Sequence, residues 1–263
     1  MNLEKRKQIE MTHYDKNAQR HIKNKTFPKR DIAVLRLPDT YIKNLIKNKT
    51  NNKKVLDFAC GSAQDPIELT KMGAKVTGID ISPKAIFVGK IVAKNQGLLN
   101  KIQFKVMDGE KMDFKDNSFD IIHSAAAFTS ANLESSLKEW SRILKPKGFA
   151  IGRDTLGDNP LINLKRKLNY SSGKRTKYTK ENLMRTKDLK IFRRYFKKVE
   201  FKYFNLLTLF LTPIIKSEDS KILKLFSKLD DSLFKFPFFQ RNAFKIVFLL
   251  SNPIKNQNDK KNL

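Results

Sequence analysis

Residues 55–82 read VLDFACGSAQDPIELTKMGAKVTGIDIS. The apolar pair Val55 and Leu56 meets an acid at Asp57 and runs into Ala59, Cys60, Gly61, Ser62 and Ala63, the pattern of a strand entering a tight turn. Asp65 is placed to cap the next helix, with Pro66 at its first position, where a missing amide proton costs nothing. Leu69 and Met72 supply part of a buried face, and Gly73 ends the helix. A second strand, Lys75 to Ile79, finishes on Asp80, an acid about 20 residues past the turn, where βαβ nucleotide sites hold a ribose.

A pyrophosphate suits this turn poorly. Only Gly61 lets the backbone close on a ligand, alanines flank it, and Asp65 adds an anion where phosphates would lie. A nucleoside without phosphates fits better. The alternation of strand and helix then continues. Ser82 and Pro83 open a helix with the face Ala85, Ile86, Val88, Ile91 and Val92, and a strand from Ile102 to Val106 delivers Asp108 and Gly109. A fourth strand spans Phe119 to Ser124, a helix runs from Leu133 to Leu144, and a fifth strand, Phe149 to Gly152, follows Pro146 and Gly148.

From Val55 to Ile151 these motifs resemble, in order, the class I S-adenosylmethionine (SAM) dependent methyltransferases, most nearly the type 11 group. The resemblance implies an α/β fold: a Rossmann-like, doubly wound sheet of seven strands with the last one antiparallel. It also implies a helical lid over residues 1–52 and a SAM-binding core over 53–153; a basic and apolar substrate-side elaboration is expected over 154–253, and the polar tail over 254–263 is expected to be disordered. The implied cofactor is SAM. Asp57 would orient the turn or meet the ligand's amino group, Gly61 would admit its methionine part, Asp80 would take the ribose hydroxyls, and Asp108 would accept from the adenine amine. Ala59, Ser62, Ala63, Ile81, Gly109 and Ser124 complete the expected cofactor wall.

Methyl transfer from a sulfonium asks mainly for alignment, so no metal is expected. A base helps an oxygen acceptor, and His123, Asp154 and His13 are the candidates. Many relatives carry Leu-His-His where this chain has Phe128, Thr129 and Ser130, so a histidine base does not transfer there. After strand five, DTLGDNP resembles a subset reading acid then Leu-Gly-His-Asn-Pro; Asp154 takes the acid's position and Asp158 replaces the histidine. In the lid, Tyr14 and His21 are the side chains able to reach the site, although the surface is the expected place for both.

The chain carries 54 Lys and Arg against 26 Asp and Glu, a formal charge of +28. Part of this excess is compositional, since Lys, Asn and Ile are all abundant. The deficit of acids still implies a positive field that draws anionic partners. One cysteine, Cys60, makes no intrachain bridge, which with a start lacking an apolar core points to the cytoplasm, with the inner membrane face as an alternative. Beyond strand five, cations crowd 165–202, including Lys165, Arg166, Lys167 and Arg175. A sixth strand is expected over Val199–Phe204 and a last one over Phe244–Leu250. Between them, Ser220–Phe234 reads as an amphipathic helix with Ile222, Leu225, Phe226, Leu229 and Leu233 on one side. That side is expected to pack on the sheet or cover a pocket; the alternative is contact with an anionic membrane surface.

The expected activity is O-methylation of a small-molecule, glycan or lipid-linked acceptor. The charge raises an RNA methyltransferase as a second reading, ranked below it because the chain lacks an Asn/Asp-Pro-Pro-Tyr/Phe motif and any appended RNA module. A non-catalytic binding protein on the same fold is the third. Acceptor and oligomeric state have no signature in the sequence.

Overall fold

The structure, a computed structural model, describes residues 3–24, 32–160, 162–164 and 176–255. Lys165, Arg166, Lys167 and Arg175, and positions 256–263 of the expected tail, lie outside the described residues. Seven strands form one sheet in the order β3-β2-β1-β4-β5-β7-β6. They are β1 (Lys54–Phe58), β2 (Lys75–Asp80), β3 (Ile102–Val106), β4 (Phe119–Ala125), β5 (Leu144–Thr155), β6 (Phe196–Phe204) and β7 (Lys245–Pro253). β1 to β5 pair in parallel, and β7 runs antiparallel to both of its neighbours. Among the described residues, five α-helices precede β5: α1 (Leu3–Lys23), α2 (Ala33–Ile46), α3 (Gln64–Lys71), α4 (Pro83–Asn95) and α5 (Leu133–Ile143). A short α6 (Lys177–Glu181) and the amphipathic α7 (Lys221–Leu233) follow.

Strand alternation sorts the apolar residues into two cores, one on each face of the sheet. Leu56, Phe58, Ile79 and Ile122 join Trp140 of α5, Phe128, Phe192 and Phe248 on one face. Val55, Val76, Ile121 and Ile151 meet Ile42 and Ile46 of α2 and Ile67 and Leu69 of α3 on the other. Trp140 lies edge-on to Phe58 with ring centroids 5.1 Å apart, a favourable aromatic geometry.

Several local details differ from the sequence expectation. Helix α3 is capped by Ala63 in a left-handed conformation (φ 65°) with no side-chain bond, so Asp65 lies inside the first turn and not at the cap. β5 starts at Leu144, directly after α5, and its register with β4 shifts between Phe119 and Ile121, which absorbs the Pro146–Gly148 segment. β6 begins at Phe196 and β7 continues to Pro253, because each finds a partner along its whole length. Helix α7 forms as expected from Ser220, whose side chain accepts from Leu223 N, but it does not bury the predicted stripe. Leu223 is the fully buried side chain, whereas Ile222, Leu225 and Leu229 are exposed.

Candidate active site

At the carboxyl ends of the central strands lies a cavity of about 200 Å³. Its floor is Phe58, Ile79 and Ala125–Ala127; its rim carries Ala59, Gly61, Asp80, Ile81, Asp108, Gly109 and Glu110; and Arg6, Lys7, Glu10 and Tyr14 of α1 close it. The first turn leaves β1 through Ala59 (φ 56°) and Gly61 (φ 50°). A Cβ on Gly61 would meet nothing within 4 Å, so open space faces the backbone at this point. A Cβ on Gly109 would come within 2.3 Å of the Phe58 ring, so only glycine lets that loop lie on the floor. Cys60 packs against Gly78 of β2, and burial, followed by the charges of Asp80 and Asp57, pushes its thiol well up. Buried in the turn, it fills space there.

Asp80 ties the turn to the end of β2. Its Oδ2 accepts from Gly61 N and its Oδ1 from Ser82 N, both at 2.9 Å. Burial raises its pKa, against those backbone bonds. Asp108 accepts from Glu110 N and meets Lys7 Nζ at 2.5 Å. Arg6 donates to Glu110 Oε1 and to the Tyr178 hydroxyl, and its guanidinium lies 4.8 Å from the Tyr178 ring centroid. Tyr14 and Ser130 share a hydrogen bond of 2.7 Å between their hydroxyls. Asp15 secures the next turn of α1, accepting from Ser82 Oγ and Lys84 N at the start of α4, where an acid is favourable. Glu110 Oε2 is buried on the cavity wall with no hydrogen-bond partner among the described residues.

The expected site residues separate into two groups. Ala59, Gly61, Asp80, Ile81, Asp108 and Gly109 line the cavity. Asp57, Ser62, Ala63 and Ser124 do not, and neither do His123, Asp154 or His13. Strand parity explains the first correction: Asp57 and His123, paired across β1 and β4, share the face of Val55 and Ile121, away from the floor. There Asp57 Oδ1 and His123 Nδ1 are 2.5 Å apart. Burial would push the imidazole down, but the hydrogen bond and charge of Asp57, aided by Asp65, leave its pKa raised. The ring opens instead onto a depression bounded by α2 and α3.

Asp154 is 2% exposed and serves the backbone, accepting from Phe128 N and Thr155 N at 2.7 Å each. It shapes the loop after β4 and does not line the cavity. Ser124 is buried, and Ala63 lies in the core between β1 and α3. His13 contacts Asn17 on the outer side of α1, beside Lys177. Of the two lid side chains, Tyr14 reaches the cavity and His21 does not line it. Asp57, Asp65 and His123 are the one grouping among the described residues with potential cation ligands within 4.8 Å of one another, and the hydrogen bond between His123 and Asp57 holds two of its members together.

The sequence reading missed Arg6, Lys7, Glu10 and Glu110. The signal was present: Arg6, Glu10 and Tyr14 recur at i, i+4 and i+8, a polar stripe along one helix face.

The sequence profile of the methyltransferase domain matches residues 56–152. Those residues form a class I methyltransferase domain. The chain is 40% identical over 98 residues to a sterol 24-C-methyltransferase of Gibberella zeae, covering 36% of this chain and 26% of that one. It is 37% identical over 108 residues to a demethylmenaquinone methyltransferase of Staphylococcus haemolyticus, covering 39% and 43%. The matched parts therefore span less than half the length of these curated relatives. Among solved structures, geranyl diphosphate C-methyltransferase of Streptomyces coelicolor, crystallised with S-adenosyl-L-homocysteine, superposes with a TM-score of 0.58. At 13% identity over 81% of this chain and 80% of that one, it shows a shared fold.

Proposed function

We propose that this protein transfers a methyl group from SAM to a small acceptor, an oxygen on a small molecule, a glycan or a lipid-linked precursor. One observation carries the reading: the Gly61 turn, Asp80, Asp108 and Gly109 line a single cavity at the carboxyl edge, inside the domain that matches methyltransferases. The residues suit the cofactor. The space beside Gly61 would hold its methionine part, the Asp80 carboxylate its ribose hydroxyls, Asp108 its adenine amine, and the alanines at 125–127 leave room at the sulfur.

SAM supplies an electrophilic methyl on a cationic sulfur. The protein's share is alignment and exclusion of water, and proximity with orientation contributes on the order of 7–11 kcal/mol in such reactions. Acids on the rim favour a cationic ligand, while the apolar floor keeps water out. With His123, Asp154 and His13 elsewhere, the acceptor is oriented by Glu110, whose buried Oε2 accepts from its hydroxyl, and by Tyr14. Arg6 pairs with Glu110 Oε1 and leaves Oε2 to hold the acceptor hydroxyl and receive its proton as the methyl leaves the sulfur.

The cavity is smaller than the range of about 300–1,000 Å³ usual for ligand pockets. The test is calorimetric titration of SAM, followed by transfer of a labelled methyl into fractionated lipid, polysaccharide and RNA. Asp80→Ala should weaken SAM binding tenfold or more, since a hydrogen bond to a charged group is worth about 1.5–3 kcal/mol. An unchanged affinity removes Asp80 from the site, and no binding by the unaltered chain ends the reading.

A further inference from the structure

The direction of the strands decides where the segment between β6 and β7 emerges. Both β5 and β6 run antiparallel to β7, so β6 is parallel to the rest, and residues 205–244 leave the sheet at the cavity's own edge. Helix α7 is held there along one face. Leu223 packs with Val34 and Ile215, and the buried Asp230, seven residues on, accepts from Leu206 N, Leu207 N, Thr208 N and Thr208 Oγ. A helix fixed in this way cannot roll its other faces inward.

The stripe that remains outside is apolar. Ile222, Leu225 and Leu229 are 54%, 57% and 44% exposed, and past the helix end Phe236 and Phe238 are 61% and 72% exposed. Phe210 and Ile214, in the segment on which α7 packs, are exposed as well. Isolated exposed leucines need no explanation, but a run at i, i+3 and i+7 beside two exposed phenylalanines marks an interaction surface.

Charge selects its partner. Across 216–235, Asp230 is buried, Glu218 pairs with Arg36, Asp231 with Lys202 and Asp219 with Lys224. Lys216, Lys221, Lys228 and Lys235 are exposed and have no acid partner among the described residues. The geometry points to an anionic lipid bilayer surface as the occupant of this face, with the apolar stripe entering the headgroup boundary and the free lysines meeting acidic headgroups. A second copy would bring one positively charged face against another. A nucleic acid would use the lysines and leave the leucines and phenylalanines in water. No helix among the described residues is long and apolar enough to cross a membrane, so the contact is with the surface.

The inference does not depend on methyl transfer, because binding is read without cofactor. The experiment is co-sedimentation of the full chain with vesicles of phosphatidylcholine alone and of phosphatidylcholine mixed with phosphatidylglycerol, at low and high salt. Binding is expected to the mixed vesicles, weakened by salt, and to fall about fivefold for each lysine lost in Lys221→Gln and Lys228→Gln. The double variant Leu225→Glu, Phe238→Glu should lose at least tenfold while its melting curve stays unchanged. Equal, negligible binding to both vesicle types overturns the inference. So does mixed-vesicle binding that the double variant leaves intact, or a concentration-dependent dimer that it dissolves.

Discussion

Helices α1 and α7 invert each other. α1 is a polar helix that buries its polar side chains: Arg6 and Glu10 are 4% and 3% exposed, over the cavity. α7 has a strong apolar stripe and leaves it in solvent, while burying a carboxylate at Asp230. In each case the covered face is chosen by partners far away in sequence, Glu110 and Tyr178 for Arg6 and the β6-proximal turn for Asp230. Amphipathicity shows that a helix has two faces; it does not show which one the protein hides.

The largest expected effect would break this contrast outright. Leu223→Ala should destabilise the fold by about 2–5 kcal/mol, whereas Leu225→Ala should stay within about 0.5 kcal/mol, as urea denaturation of both variants would measure. Equal costs would mean that the stripe is covered after all. A smaller effect concerns α1. Arg6→Met removes the donor to Glu110 and to the Tyr178 hydroxyl, so amide exchange in α1 should quicken tenfold or more, about 1.4 kcal/mol of local stability, with the central strands unchanged. Acceleration spread over the whole sheet would show that α1 is part of the core and not a cover.

The smallest effect is in pH. His123 has a raised pKa in the fold because Asp57 outweighs its burial, and its ordinary value is about 6.5. Its stabilising contribution is complete below that value and is lost as pH rises through the raised one, by at most about 1.4 kcal/mol per unit. Melting temperature should therefore decline above neutral pH, and Asp57→Asn should flatten that decline.

Strands β1 to β5 were legible because each has a local signature: alternation, a cap such as Ser82, or a breaker such as Gly73. The rim of the cavity was legible for the same reason, since Gly61, Asp80 and Asp108 sit where strands end. The errors came from direction. Asp57 and Asp80 look alike as acids closing neighbouring strands, yet parity turns Asp57 to the α2 and α3 face. Asp154 also ends a strand, but the amide of Phe128 claims it. Arg6 and Glu110 are 104 residues apart, and nothing local to either names the other.

The placement of β7 also bears on how the nascent chain folds. It is the last described strand, yet it lies between β5 and β6 and forms no edge of the sheet. While a ribosome still holds Lys245–Pro253, β6 has no ladder to join, and the flank of β5 that will pair with Phe248 and Leu250 stays open. Clipping the chain before Lys245 would therefore remove an interior slat instead of a margin, and β6 would drift free with it.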